Sequence, residues 1–329
     1  MANEPVQISK IEDGMRLLRW FLRHFPAVSQ GTFYKLCRGG QIRINSSRCR
    51  GTEILRSGDF IRIPPTISRQ PSAVSRQSRE SGDRFSLKDL EYLRKCIIHN
   101  DDDIVAFNKP AGLATQGGTG IKMSVDKMAA ALFPYDKISL VHRLDRETSG
   151  VLVVAKNTRA AQKLSEEFQN KTARKEYLAL LAGNVLPKSG VIDNYMVKGR
   201  VLEQNEKAEP GAKPLRAITK YRVLGGAPGV ASWVLFAPMT GRTHQLRLHS
   251  AFSLNAPIVG DTLYQSGERR AKSGDNAALQ SMLATNNLFL FAHKITFQHP
   301  GTGRAIAIRA ELPDFMKPVV KFLELTIPD

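Results

Sequence analysis

The sequence predicts an α+β protein with a largely antiparallel or mixed central sheet, carrying a small α/β unit at its amino terminus. Three observations predict it. Past residue 86 the strand-like segments outnumber the helical ones, and ITKYRVL and WVLFAP follow each other directly across the Gly/Pro-rich GGAPG. Ahead of them, residues 66–84 are dominated by Ser, Arg and Gln and cannot bury enough apolar surface to fold alone. With 329 residues, 42% of them hydrophobic, the chain is long enough for one sizeable core and a smaller accessory one. The expected division is residues 1–65, a flexible basic linker over 66–85, and a larger domain from 86 to 329.

In the first unit, MRLLRWFLRHF spaces Leu18, Phe21, Leu22 and Phe25 along one helical face, while Arg16, Arg19 and Arg23 fall mostly elsewhere around the axis. Ser29 is placed to cap a second helix through TFYKLC, which Gly39 and Gly40 end. QIRIN then alternates apolar and polar residues, Asn45 and Ser46 offer a turn, and FIRIP forms a last strand after the Ser57-Gly58-Asp59 turn. Basic residues sit on several of these elements, which makes Lys35, Arg38, Arg43 and Arg48 the candidate phosphate contacts.

In the larger domain, IVAFNKP, VLVVAK, YLALLAG, ITKYRVL, WVLFAP and FLFAHKITF read as strands, and MSVDKMAAALF and TRAAQKLSEEFQ as amphipathic helices. Residues 265–287 read as a polar excursion. Lysine and arginine outnumber the acids by 48 to 30, a formal charge of +18, which points to a polyanionic partner. No apolar run approaches the roughly 20 residues of a spanning helix, so a membrane protein is not expected. Arg16, Arg19 and Arg23 interrupt the first apolar stretch, unlike an export signal, and Glu4, Glu12 and Asp13 argue against a transit peptide. Cys37, Cys49 and Cys96 are too few and too scattered for a disulfide framework or a zinc site. A soluble protein of the reducing cytoplasm is expected.

The densest polar run is VHRLDRETSGVLVVAK, where charged residues crowd a turn before an apolar strand. Such a turn can hold a side chain at the mouth of a sheet, although charge runs there are also solvated loops. MTGRTHQLRLHS gathers Arg242, His244, Arg247 and His249. Two histidines five apart do not have the spacing of a helical metal pair, and no acidic or cysteine ligand is near, so surface histidines or RNA contacts are expected. Tyr177, in KEYLALLAG, fits by itself a core aromatic whose hydroxyl finds a backbone partner. GGTG at 117–120 lacks the spacing and lysine of a phosphate loop.

Taken in order, HRLDRETSG with its following strand, KEY and TGRTHQLRLH resemble the RluA-type pseudouridine synthases. NKPAGL, GDTLY and KITFQHP extend the resemblance across nearly all of the larger domain. RGGQIRIN and SGDFIRIPP, with the two helices before them, resemble an S4-type RNA-binding domain over residues 15–65. Together the two halves are most similar to the RluC-like branch acting on 23S, large-subunit ribosomal RNA.

The resemblance implies a pseudouridine synthase fold and an isomerase that detaches uracil from its ribose and rejoins it through carbon 5. It implies Asp145 as the catalytic carboxylate, acting by attack on the sugar, addition to the base or removal of a sugar proton. Arg247 would hold Asp145 ionised through a charge-assisted bond. Tyr177 would stack on the base and relay the proton lost from carbon 5, and Arg143 would fill the gap left by the flipped nucleotide. His142, Arg242 and His244 join the expected RNA contacts. An internal rearrangement needs no cofactor and no metal. The expected partner is 23S RNA or a large-subunit assembly particle, met by a monomer. Phe291 and Gln116 depart from the family pattern at places that bear on substrate choice. The rival readings are a synthase acting on transfer RNA, a non-catalytic ribosome-assembly factor, and a hydrolase pairing Asp145 with Glu147, which needs carboxylates about 5–9.5 Å apart.

Overall fold

A computed structural model gives the structure of residues 5–65 apart from 10–11 and 26–27, residue 67, residues 85–264 apart from 198 and 203–212, and residues 281–328 apart from 282 and 285. Almost all of the expected linker and most of the polar stretch over 265–287 lie outside the described residues.

The N-terminal elements are β1 (Val6–Gln7), α1 (Leu17–His24), α2 (Gln30–Arg38), β2 (Arg43–Ile44), β3 (Ser47–Arg48) and β4 (Phe60–Arg62). The four strands pair antiparallel in the order β1-β4-β2-β3. Ser29 caps α2 as expected, its Oγ accepting from the Thr32 N–H at 3.2 Å. Asn45 and Ser46 adopt φ +48° and +69°, the left-handed pair of a tight hairpin turn. Trp20, Phe21, Phe33, Ile42, Leu55 and Ile61 close a core of their own. Cys37 and Cys49, set apart in the sequence, meet in that core as free thiols with Sγ atoms 3.7 Å apart. Two of the three cysteines are thus neighbours in the fold, as free thiols and not as a disulfide. From α1, Arg19 reaches Asp102 and Asp136 at 3.0 and 2.7 Å, tying this unit to the rest of the chain.

The larger part follows as α3 (Leu87–Lys95), β5 (Ile97–Asn100), β6 (Ile104–Lys109), α4 (Val125–Leu132), β7 (Ser139–Leu140), β8 (Ser149–Ala155) and α5 (Thr158–Gln169). Then come β9 (Arg174–Ala182), β10 (Ser189–Val197), β11 (Arg200–Val201), β12 (Leu215–Ala227) and β13 (Ala231–Pro238). The short helix α6 (Gln245–Leu248) runs on into a π-helical turn, His249–Ser253, before β14 (Leu290–Gln298), β15 (Ala305–Arg309) and α7 (Lys317–Phe322). The strands form one sheet in the order β11-β10-β12-β13-β9-β14-β8-β6-β5, with β15 on β14 and β7 on β8. Every pairing is antiparallel except β8 with β14. This is the mixed, mostly antiparallel sheet the sequence predicts.

β8 is buried at every position because both faces of the sheet are covered there. Val151 and Val153 join the large core that includes Ala160 and Leu164 of α5, while Leu152 and Val154 face Met128 and Ala129 of α4. Gly150 opens this strand at φ +109°, and a Cβ on it would stand 2.2 Å from the carbonyl oxygen of Ala292. Only glycine lets β8 approach β14 this closely. The turn carrying Asp145 thus feeds directly into the centre of the sheet.

Candidate active site

Residues 142–148 connect β7 to β8, and their backbone is clamped from one side by the NKPAGL segment. Lys109 Nζ donates to the carbonyls of Pro110, Leu113 and Arg146 at 2.9, 2.8 and 3.0 Å. The Gly112 N–H donates to the Arg146 carbonyl, and Arg146 Nε returns a bond to the Gly112 carbonyl, both at 2.9 Å. Thr115 Oγ1 donates to the Leu144 carbonyl at 2.7 Å and accepts from its N–H at 3.2 Å. Lys109 is fully buried, and three carbonyl acceptors match the three protons of an ammonium. Burial lowers it to about 7, while the charges of Glu147 and Asp145 pull the other way.

Held by this clamp, Asp145 faces a cleft of about 440 Å³ whose walls include Arg143, Phe168, Lys175, Tyr177, Arg242 and His244. The Asp145 side chain is 24% exposed, and the nearest basic side-chain nitrogen among the described residues is His244 Nε2, at 4.0 Å. Tyr177 stands on β9, paired with Phe236 of β13 on one side and Ala292 of β14 on the other. Burial, reinforced by the charge of Asp145, raises its hydroxyl above the ordinary tyrosine range, so the phenol is neutral. The backbone partner expected for a core tyrosine is not found among the described residues.

Arg247 departs from expectation. It is buried, and its Nε and Nη2 donate bidentately to Asp261 at 2.8 and 2.6 Å, with the ring of Tyr264 5.1 Å away. Asp261, 1% exposed, also accepts from the N–H groups of Leu263 and Tyr264. The expected charge-assisted bond from Arg247 to Asp145 is therefore replaced by a buried pair with Asp261, and Arg247 acts on Asp145 only through space. Burial lowers Arg247, and the bonds and charge of Asp261, with a lesser pull from Asp145, outweigh it and raise the guanidinium.

His142 also differs from its expected role as an RNA contact. Its Nε2 accepts from the Val153 N–H at 2.9 Å, and its ring stacks on Phe168 with centroids 4.8 Å apart. Burial, aided by the charge of Lys175, lowers it to about 3, so it is a neutral support for the cleft wall. His244 adopts a left-handed backbone, φ +54°, and its Nδ1 lies 2.7 Å from the Tyr264 hydroxyl. Arg242 Nε donates to the Arg216 carbonyl at 3.1 Å. His249 is turned inward onto Thr219 and Asn194, and burial lowers it to about 4. Arg143 is exposed at the cleft's edge.

Lys109, Thr115 and Asp261 hold this arrangement in place, and sequence reasoning missed all three. NKPAGL and GDTLY were visible as motifs, but nothing in them says which side chain turns inward. Away from the cleft, His99 and His299 both meet Asp101 Oδ2, at 2.7 and 2.9 Å. His299 Nδ1 accepts two backbone N–H groups, so its Nε2 carries a proton and has no lone pair for a cation.

Residues 103–252 match the family model described as RNA pseudouridylate synthase. The ribosomal large subunit pseudouridine synthase C of Vibrio vulnificus is 33% identical over 97% of this chain and 96% of its own. The protein of the same name from Escherichia coli strain K12 is 32% identical over 95% and 94%. Among solved structures, human RNA pseudouridylate synthase domain containing 4 superposes with a TM-score of 0.59 at 27% identity, covering 73% of this chain and 97% of that one. A third of the residues shared along almost the whole length, on this fold and around this cleft, mean that the chain belongs to the RNA pseudouridylate synthase family, as an RluA-type member.

Proposed function

We propose that the protein converts uridines of 23S, large-subunit ribosomal RNA to pseudouridine, with Asp145 as the catalytic carboxylate. The observation that carries the reading is Asp145 itself, a carboxylate at a cleft, held by a clamped backbone and, among the described residues, paired with no lysine or arginine. An acid fully paired with arginine would be a structural group, whereas this one is free to meet a sugar or a base. The cleft has room for one extruded nucleotide and not for a duplex, which fits a reaction that must turn the base on its own sugar.

In this reading Tyr177 packs against the uracil and its neutral hydroxyl serves proton transfer at carbon 5. Arg247 supports the site as a fixed positive charge behind Asp145, its position set by Asp261. Arg143 at the rim enters the space the nucleotide vacates, and Arg242 and His244 contact the strand on the opposite wall. Residues 1–65 act as an S4-like RNA-binding domain through Lys35, Arg38, Arg43 and Arg48, tethered by 66–85 to a catalytic domain over 86–329. The protein works as a monomer in the cytoplasm, on rRNA or on a large-subunit assembly particle.

The test is pseudouridine mapping of large-subunit RNA from cells lacking the protein, complemented with the wild type or with Asp145→Asn. Sites lost on deletion and restored only by the wild type are the expected result. An unchanged large-subunit map would overturn the substrate, and restoration by Asp145→Asn would overturn the role of Asp145.

A further inference from the structure

Lys175 is a half-buried cation in the cleft wall that no group among the described residues neutralises. The buried cations beside Asp145 have acceptors: Lys109 has three carbonyls and Arg247 has Asp261. Among the described residues, neither a carboxylate nor a hydrogen-bond acceptor takes Lys175 Nζ. The ammonium lies 5.6 Å over the ring of Phe168, and a Cβ on Gly241 of the facing TGR turn would stand 3.8 Å from it. Burial lowers Lys175 below the ordinary lysine value, the cost of a cation taken from water without a partner.

Its position says what the missing partner is. Lys175 and Tyr177 are two apart on β9, so both side chains leave the same face of the strand and both line the cleft. Their Cα atoms are about 6.6 Å apart along the strand, on the order of the span from a base to its own phosphate. Lys175 lines the same cleft as Asp145 and Tyr177, so it faces a nucleotide that enters to meet Asp145.

Resting on the proposed RNA substrate, we propose that Lys175 binds a non-bridging oxygen of a phosphate attached to the target uridine, fixing how deeply that nucleotide seats against Asp145. It is a positioning residue for the reaction, and its ligand class is the phosphodiester of the extruded nucleotide.

The probe is a synthetic stem-loop of large-subunit RNA centred on a uridine that the wild type converts. It is made with natural phosphates, or with one neutral methylphosphonate on the 5′ or the 3′ side of that uridine, each version flanked by 2′-deoxy sugars. Binding is measured in the Asp145→Asn background, with Lys175 intact, as Gln or as Arg. With Lys175 intact, one of the two neutral linkages should weaken binding about tenfold, which identifies the phosphate. Lys175→Gln should weaken binding to natural RNA by a similar factor, lose nothing further on that neutral linkage, and reduce the slope of log affinity against log salt by about 0.7–0.9. Lys175→Arg should recover most of the loss. Insensitivity of the Lys175 protein to both neutral linkages would overturn the proposal, whatever the variants do. Full sensitivity persisting in Lys175→Gln would overturn it as well. If the wild type converts no uridine in large-subunit RNA, the substrate reading falls first and the proposal with it.

Discussion

The cleft at Asp145 and the outer face of the N-terminal sheet are both rich in cations, and for the most part they hold them in opposite ways. Around Asp145 the inward-facing charges are committed, Arg247 to Asp261 in a bidentate pair and Lys109 to three carbonyls, with Lys175 the exception. On the small sheet, Arg43 stands directly opposite Arg48 on one side and Arg62 on the other. Directly opposed residues share a face, so three arginines lie in a row across β3, β2 and β4. Arg43 donates to the Gly40 and Ser46 carbonyls, and no carboxylate is within ion-pair distance of any of the three among the described residues. Like charges opposed across strands are destabilising, and a phosphate backbone removes the repulsion. Chemistry needs charge fixed before the substrate arrives, whereas binding a polyanion needs charge left open.

The largest effect that would sharpen this comparison comes from Asp261. Asp261→Asn leaves a buried guanidinium without its carboxylate, so the protein should lose roughly 3–5 kcal/mol of stability and most of its turnover. Denaturant unfolding and a turnover assay below the new midpoint separate the two losses. An unfolding midpoint unchanged from wild type would break the claim that Arg247 depends on Asp261.

Lys109→Met should cost about 1–3 kcal/mol and lower turnover without lowering RNA affinity, because it releases the backbone behind Asp145 and touches no outer surface. The pH dependence has a definite sign. Lys109 falls from the ordinary 10.5 to about 7 in the folded protein, so below pH 7 both states hold the proton and the burial cost is present in full. Between about 7 and 10.5 only the unfolded chain stays protonated, and the stability contributed by this group rises with pH. Over the same range the third hydrogen bond of the clamp is lost, so turnover at saturating RNA should fall as pH passes 7. Lys109→Met should flatten both trends, and a wild-type profile unaffected by that substitution would contradict the assignment.

On the small sheet the expected effect on folding is slight, because relief of repulsion offsets any lost contact: Arg48→Gln with Arg62→Gln should leave the melting temperature unchanged or higher. RNA affinity should drop, with the salt slope reduced by about 0.7–0.9 per lost phosphate contact. Loss of saturated turnover equal to the loss of affinity would break the separation between the two regions.

The contrast also marks what the sequence could reveal. The strands VLVVAK, YLALLAG and WVLFAP were legible because continuous apolar runs have one use in a sheet covered on both faces. β10, SGVIDNYMV, was not, since its burial alternates irregularly and it carries polar residues at the sheet's margin. The helix α3 was passed over because its one buried residue, Leu93, makes no apolar stripe. In the cleft, the order of HRLD, KEY and TGRTHQLRLH carried Asp145, Tyr177 and Arg247. Their electrostatics stayed hidden, because sequence gives the sign of a charge and not its partner. Arg247 binds an aspartate 14 residues on, in GDTLY, and a lysine's burial cannot be read from NKPAGL.

The most direct test of the account is conversion by purified protein. Wild type and Asp145→Asn would be incubated with large-subunit RNA, with pseudouridine and RNA affinity measured on the same preparations. The account predicts product from the wild type alone and affinities within a few fold of each other. Product formed by Asp145→Asn at a comparable rate would contradict it.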